Sequence, residues 1–170
     1  MLHRLVRLFY SYEVLAKKAG VKMGVNNFIA SRFWSSEPYL ITIGSHCQIT
    51  EGVRFFTHGG GASIRHIDPK FDCFGKICVG DYVYIGCNSL IMPGVTLEDN
   101  VLVAAGSVVT KSVHKGLVVG GNPAKVLCTI EEYMLKNEQY NLKTKGLTAM
   151  EKMHIINNMC DEKFVVKKFM

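Results

Sequence analysis

Residues 79–114 read VGDYVYIGCNSLIMPGVTLEDNVLVAAGSVVTKSVH, and taken six at a time they repeat. The first positions, Val79, Ile85, Ile91, Leu97, Val103 and Val109, are all aliphatic. The fifth, Val83, Ser89, Val95, Val101, Ser107 and Val113, are all small or β-branched. In a chain that is 48% apolar, six such hits at a chosen phase would be roughly a 1% accident, and a fixed period marks a repeat architecture. A helix needs a period near 3.6 and a half-buried strand alternates in twos. Six fits neither. It asks for a short strand and a corner, repeated, with one residue of each six pointing inward. Second positions are small or acidic (Gly80, Gly86, Glu98, Ala104), apart from Met92 and Thr110. Asp81, Asn88, Asp99 and Asn100 follow nearby, where the chain must turn. Three units close a triangular coil of about 18 residues, and stacked coils share one continuous, quasi-one-dimensional core.

Upstream, the phase is kept by Ile43, Ile49 and Phe55, with Gly44 in the second position and Cys47 and Val53 in the fifth. It then breaks over residues 57–76, THGGGASIRHIDPKFDCFGK. A prism has no packing use for so polar and glycine-rich a segment, and loops held by rigid scaffolds are where function concentrates. His58 closes the last regular rung before it. A neutral imidazole suits the removal of a hydroxyl proton near pH 7, and a positioned base contributes roughly 10²- to 10⁴-fold. The run Gly59-Gly60-Gly61 could bring backbone N–H groups close to a developing oxyanion. Residues 21–42 read as an irregular first coil whose register is reset around ASRFWSSEPYL. Trp34, Ser36, Glu37 and Tyr39 there make a polar-aromatic cluster of the kind that suits sugar faces and hydroxyls. Arg65, in the loop, joins them as a candidate for substrate binding.

The composition narrows the function. The 170 residues suit one domain with small appendages. The net charge of +6 is spread rather than gathered into a stripe, so nucleic acid is not an expected partner. A basic surface does suit a polyanionic small molecule. Six cysteines lie without a C-x-x-C pair. Three of them, inside or beside the repeats, are expected as reduced, space-filling thiols. No signal peptide, membrane span or dinucleotide fingerprint is legible, and a reducing cytoplasm is the expected setting. Residues 2–18 read as an amphipathic helix with Leu2, Leu5, Val6 and Phe9 on one side, ended by Gly20. It would cap the open end of the coil or, as a basic helix, lie on a membrane surface. Thr129 with Glu132 and Thr148 with Glu151 form capping-box signals for helices over 130–139 and 149–159. The expected organisation is a capping helix (1–20), a β-helix (21–126) with its inserted loop, and a helical extension (127–170).

These residues resemble a known family. PGVTLEDNVLVAAGSVVTKSV followed by VVGGNPAKVL, and SEPYLITIG, RFFTHGGG and IDPKFDCFGKICVGDYVYIG before them, are similar in content and order to the hexapeptide-repeat acyltransferases. The similarity is greatest to those that O-acetylate bacterial capsular and O-antigen polysaccharides, then to the maltose and galactoside acetyltransferases. The resemblance implies a mainly β fold, a left-handed parallel β-helix, and a homotrimer with acetyl-CoA bound between subunits. It implies His58 as the catalytic base of O-acetyl transfer to a sugar hydroxyl, with no metal. It also implies that Gly86, Cys87 and Ala105 line the pantetheine arm, while Thr110, Lys111 and Lys125 meet the phosphates. That branch often has an acidic residue directly after the histidine, where this chain has Gly59. A carboxylate to orient His58 must come from elsewhere. Asp68 precedes Pro69 and can shape a turn, which leaves Asp72 as the expected partner. Other readings are N-acetyl transfer to a sugar or nucleotide-sugar, a non-catalytic binding module, and the γ-class carbonic anhydrases of the same fold. The last would need three histidines on zinc, and His46, His58 and His66 lack the H-x₄-H spacing.

Overall fold

The computed structural model describes residues 11–167 and 169. Most of the apolar positions of the helix expected over 2–18 therefore lie outside the described residues. The described part is α1 (Tyr12–Ala19), capped by Ser11, whose Oγ accepts from Val14 N, and ended by Gly20 at φ +116°. Ala16 is fully buried against the first coil.

From there the chain winds in short parallel strands on three faces. Face A carries β1 (Lys22–Met23), β3 (Ile41–Ile43), β6 (Ile77–Val79) and β9 (Thr96–Leu97). Face B carries β2 (Phe28–Ile29), β4 (Gln48–Ile49), β7 (Tyr84–Ile85), β10 (Leu102–Val103) and β12 (Leu117–Gly121). Face C carries β5 (Arg54–Phe55), β8 (Leu90–Ile91) and β11 (Val108–Val109), with Phe33 bridged to Arg54 at its start. Cys78 pairs with Thr96, Tyr84 with Leu102 and Leu90 with Val108, each one coil along. The hexad is thus one face of the coil, and its first residue is the inward one. Ile43, Ile49, Phe55, Val79, Ile85, Ile91, Leu97, Val103 and Val109 are all buried. Ser89 and Ser107, the polar fifth positions, are buried too. Their hydroxyls donate to carbonyls of the adjoining turns, Ser89 to Gly86 O at 2.8 Å and Ser107 to Ala104 O at 2.6 Å, which offsets the cost of burying them.

The second positions have a specific reason to be small. At one corner of the prism Ser45 N donates to Asp81 Oδ1, and Asp81 N donates to Asp99 Oδ1, each at 2.7 Å. A Cβ on Gly44 or Gly80 would run into those same carboxylates. Glycine below and aspartate above form a ladder that locks successive coils together.

Two expectations need correction. Of the cysteines beside the repeats only Cys47 is buried; Cys78 and Cys87 are exposed, because each sits at an outward position of its hexad. The chain does not turn helical after Val126. It doubles back as β13 (Ala124–Thr129), antiparallel to β12, and this hairpin closes face B. Only then does α2 (Ile130–Asn137) begin, followed by α3 (Ala149–Asn157). Residues divide into two compact units, Met1–Ile130 and Glu131–Met170. In the second, Thr148 and Glu151 form the expected capping box at the start of α3. Met134, Met150 and Met153 are exposed within this chain.

Candidate active site

The loop leaves the coil through a narrow neck. Thr57 O accepts from Gly75 N at 2.7 Å, and His58 forms an antiparallel bridge with Phe74. Gly75 has no room for a side chain, since a Cβ there would lie 2.6 Å from the Pro93 carbonyl carbon. The neck fixes the backbone of His58, and the Phe74 ring lies 5.6 Å from the imidazole, tilted by 53°.

The carboxylate on His58 belongs to Glu37. Its Oε2 lies 2.7 Å from Nδ1, with the two side chains 35% and 16% exposed, so the contact is partly shielded from water. The same oxygen accepts from the Thr57 hydroxyl at 2.6 Å, and Thr57 Oγ1 lies 2.8 Å from Ser35 Oγ. The hydrogen bond from Thr57 is foremost in holding the Glu37 carboxyl below its ordinary value; burial opposes it, and the neighbouring His58 adds to the lowering. An ionised acceptor at Nδ1 requires the proton there. Nε2 keeps its lone pair, the form a base needs.

Asp72, the expected partner, is not on His58. It faces Arg65, whose Nη2 lies 3.5 Å from Oδ1, and Arg65 also donates to Phe71 O. Both are occupied in holding the loop's own shape. Asp68 shapes a turn, with Oδ1 accepting from Lys70 N at 3.1 Å. Glu37 stands among the acceptor candidates on the sequence, yet it lies one coil over His58. The offset is visible only in the structure: Phe33 is bridged to Arg54, and the same offset carried forward sets residue 37 on 58.

His58 opens on a cleft of about 440 Å³ that Ser36, Phe33, Arg32 and Arg54 also line. The Trp34 ring is buried and stacks on Phe55 at 5.1 Å, so it is part of the core and not a sugar platform. Tyr39 is exposed and does not line the cleft. Gly59 and Gly60 are open to solvent, whereas Gly61 is buried under Arg65. Gly86 lies so close to Ala105 that a Cβ would come within 2.5 Å of its amide nitrogen, and exposed Cys87 follows at the same corner. Thr110 and Lys111 sit across face C, beyond β11, and Lys125 pairs with Gly120 in the terminal hairpin. All three are exposed. The structure therefore brings Gly86, Cys87 and Ala105 together, and sets Thr110 and Lys111 at a different corner. His46 stacks on Tyr82 and His66 lies exposed in the loop. Among the described residues no three metal-ligating side chains converge, and no helix is long and apolar enough to cross a membrane.

Comparison with known proteins agrees with this architecture. Residues 79–111 match the family described as bacterial transferase hexapeptide (six repeats). The chain is 44% identical over 156 residues to "Protein CapG" of Staphylococcus aureus, covering 87% of this chain and 89% of that protein. Among solved structures it is similar in fold to a maltose O-acetyltransferase from Clostridium difficile 630, with a TM-score of 0.55 and 24% identity over 69% of this chain and 73% of that one. It is equally similar to a galactoside acetyltransferase in complex with coenzyme A, with a TM-score of 0.55 and 23% identity over 72% of each chain. With its period, its parallel coils and a relative matched along nearly its whole length, the chain belongs to the hexapeptide-repeat acyltransferase family.

Proposed function

We propose that the protein is an acetyl-CoA-dependent O-acetyltransferase acting on a sugar hydroxyl, with His58 as general base and Glu37 as the residue that positions it. The observation that carries this is the 2.7 Å contact between Glu37 Oε2 and His58 Nδ1 at the mouth of a cleft. Nε2 takes the hydroxyl proton as the oxygen attacks the thioester carbonyl. The imidazolium then returns that proton to the departing thiolate. Glu37, kept ionised by Thr57, stabilises the imidazolium in between. Exposed Gly59 and Gly60 are the nearest backbone groups for the oxyanion. The corner of Gly86, Cys87 and Ala105, where Cys87 and Ala105 are exposed, would line the pantetheine arm, and Thr110, Lys111 and Lys125 would supply charge and hydrogen bonds for phosphates. Left-handed winding and a homotrimer with the donor between subunits follow from membership of the family. Surface-polysaccharide synthesis is the setting that the similarity to CapG supports.

The test is mass spectrometry of a panel of sugars after incubation with acetyl-CoA, with the wild type and His58→Ala in parallel. An added acetyl group is expected, and the variant should turn over roughly 10²-fold more slowly or worse while still binding coenzyme A. Undiminished transfer by His58→Ala would refute the mechanism.

A further inference from the structure

Two arginines stand in the cleft without a carboxylate to neutralise them. Arg32 and Arg54 line the cleft of about 440 Å³ that contains His58. They also line an adjoining cleft of about 590 Å³ that runs to Glu51, Asn88 and Cys87, the last of which the proposed reading gives to the donor. They sit where the two meet. Neither forms an ion pair with an acidic side chain among the described residues. Each is held by an aromatic ring instead. The Arg32 guanidinium lies 4.2 Å from the centroid of Tyr12 and donates to its hydroxyl at 2.5 Å. The Arg54 guanidinium lies 4.6 Å from the centroid of Phe33. A ring restricts the motion of a guanidinium without cancelling its charge or consuming most of its five donors. Packing needs no such charge here, because both side chains are exposed.

We infer that Arg32 and Arg54 form an anion-recognition site for the acceptor, which is therefore a sugar carrying a carboxylate or phosphate group. The inference rests on the acetyl-transfer reading for its reaction, but its binding chemistry is independent of it. Two fixed guanidiniums can grip a planar carboxylate or a phosphate through paired hydrogen bonds, leaving a ring hydroxyl to reach His58 through the shared cleft. Glu51 lines only the outer cleft and repels an anion there. That places the charged group at the junction, on the His58 side.

The alternative source of negative charge is the phosphates of the acyl donor, and binding measurements on the full chain separate the two. Calorimetric titration of the wild type with methyl glucuronide, glucose 1-phosphate and methyl glucoside should show one or both anions bound about tenfold more tightly than the neutral glycoside, the scale of a charge-assisted hydrogen bond. Arg32→Gln and Arg54→Gln should lose that preference while binding coenzyme A within about twofold of wild type and melting at the same temperature. Arg→Lys at either position should keep part of the preference, since charge is retained and the fork is lost. A wild type that binds all three sugars alike, or none, overturns the inference. So does a variant that keeps its anion preference and loses coenzyme A affinity, which would assign the arginines to the donor. A wild type that binds no coenzyme A at all would instead overturn the acetyl-transfer reading, leaving the sugar comparison intact.

Discussion

At the scale of single residues, the informative disagreement between sequence and structure is the one over His58. Asp72 is close to it along the chain, and proximity in sequence made it the natural partner. The loop spends Asp72 on Arg65. Glu37 reaches His58 because consecutive coils are stacked, a relation 21 residues long that no local motif displays. If Glu37 positions the base, Glu37→Gln should reduce kcat by about 10²-fold with little change in acceptor KM; a variant in which KM rises and kcat holds would make Glu37 a binding residue instead. Stability offers a second reading of the same contact. Glu37 has a folded pKa lowered from 4.5, so its contribution is present above that ordinary value and is lost as pH falls through the depressed one. Melting temperatures of wild type and Glu37→Gln should therefore differ at pH 7 and draw together as the pH falls below the ordinary value of 4.5. A gap that stays constant down to pH 3 would mean that the carboxylate charge is not what the contact uses.

At the scale of elements, the hexad was readable because every coil reuses the same inward position. Val79 to Val109 could be assigned to the core by counting alone, and all six of its first positions are buried. Where the coil departs from its period, counting fails. Cys128 and Thr129 fall in the expected helical extension, yet they pair back on β12, because an open parallel edge needs a partner. The glycines show the opposite case, in which a residue type chosen for turning is really demanded by contact. A Cβ on Gly44 would meet Asp81 Oδ1 and lie 2.6 Å from Gly80 O. Gly44→Ala should cost about 1–3 kcal/mol by forcing the coils apart, lowering the melting temperature by about 2–10 °C. Gly59, with nothing within 4 Å of an added Cβ, is the control, and Gly59→Ala should melt with the wild type. Equal melting of the two variants would remove the ladder as a stabilising feature.

At the scale of the whole molecule, a single chain leaves much apolar surface in water. Val25, Phe28 and Phe33, on different faces of the coil, are each about half exposed or more. In the proposed reading, the corner of Gly86, Cys87 and Ala105 would be one wall of the donor site and a neighbouring subunit the other. Light scattering at working concentration should report a trimer, and an active monomer would contradict the proposal that the donor lies between subunits. The sequence carried the family resemblance from which this expectation came, but faces and their partners lie beyond a one-dimensional pattern, since outward hexad positions tolerate almost any residue.

The neck of the loop has a further consequence, for how such enzymes can diversify. Across it Tyr84 still pairs with Gln48 and Leu90 with Arg54, so the coils on either side keep their alignment despite all that is inserted between them. Thr57 and Gly75 clamp the entry and exit with one hydrogen bond. His58 and Phe74 are bridged just inside that clamp, and the segment between those two is free of the repeat's geometry; doubling the length of such a segment costs only about 0.6 kcal/mol in closure entropy. The segment thus behaves as an exchangeable cassette, whose replacement leaves His58, Glu37 and the rungs that hold them where they are.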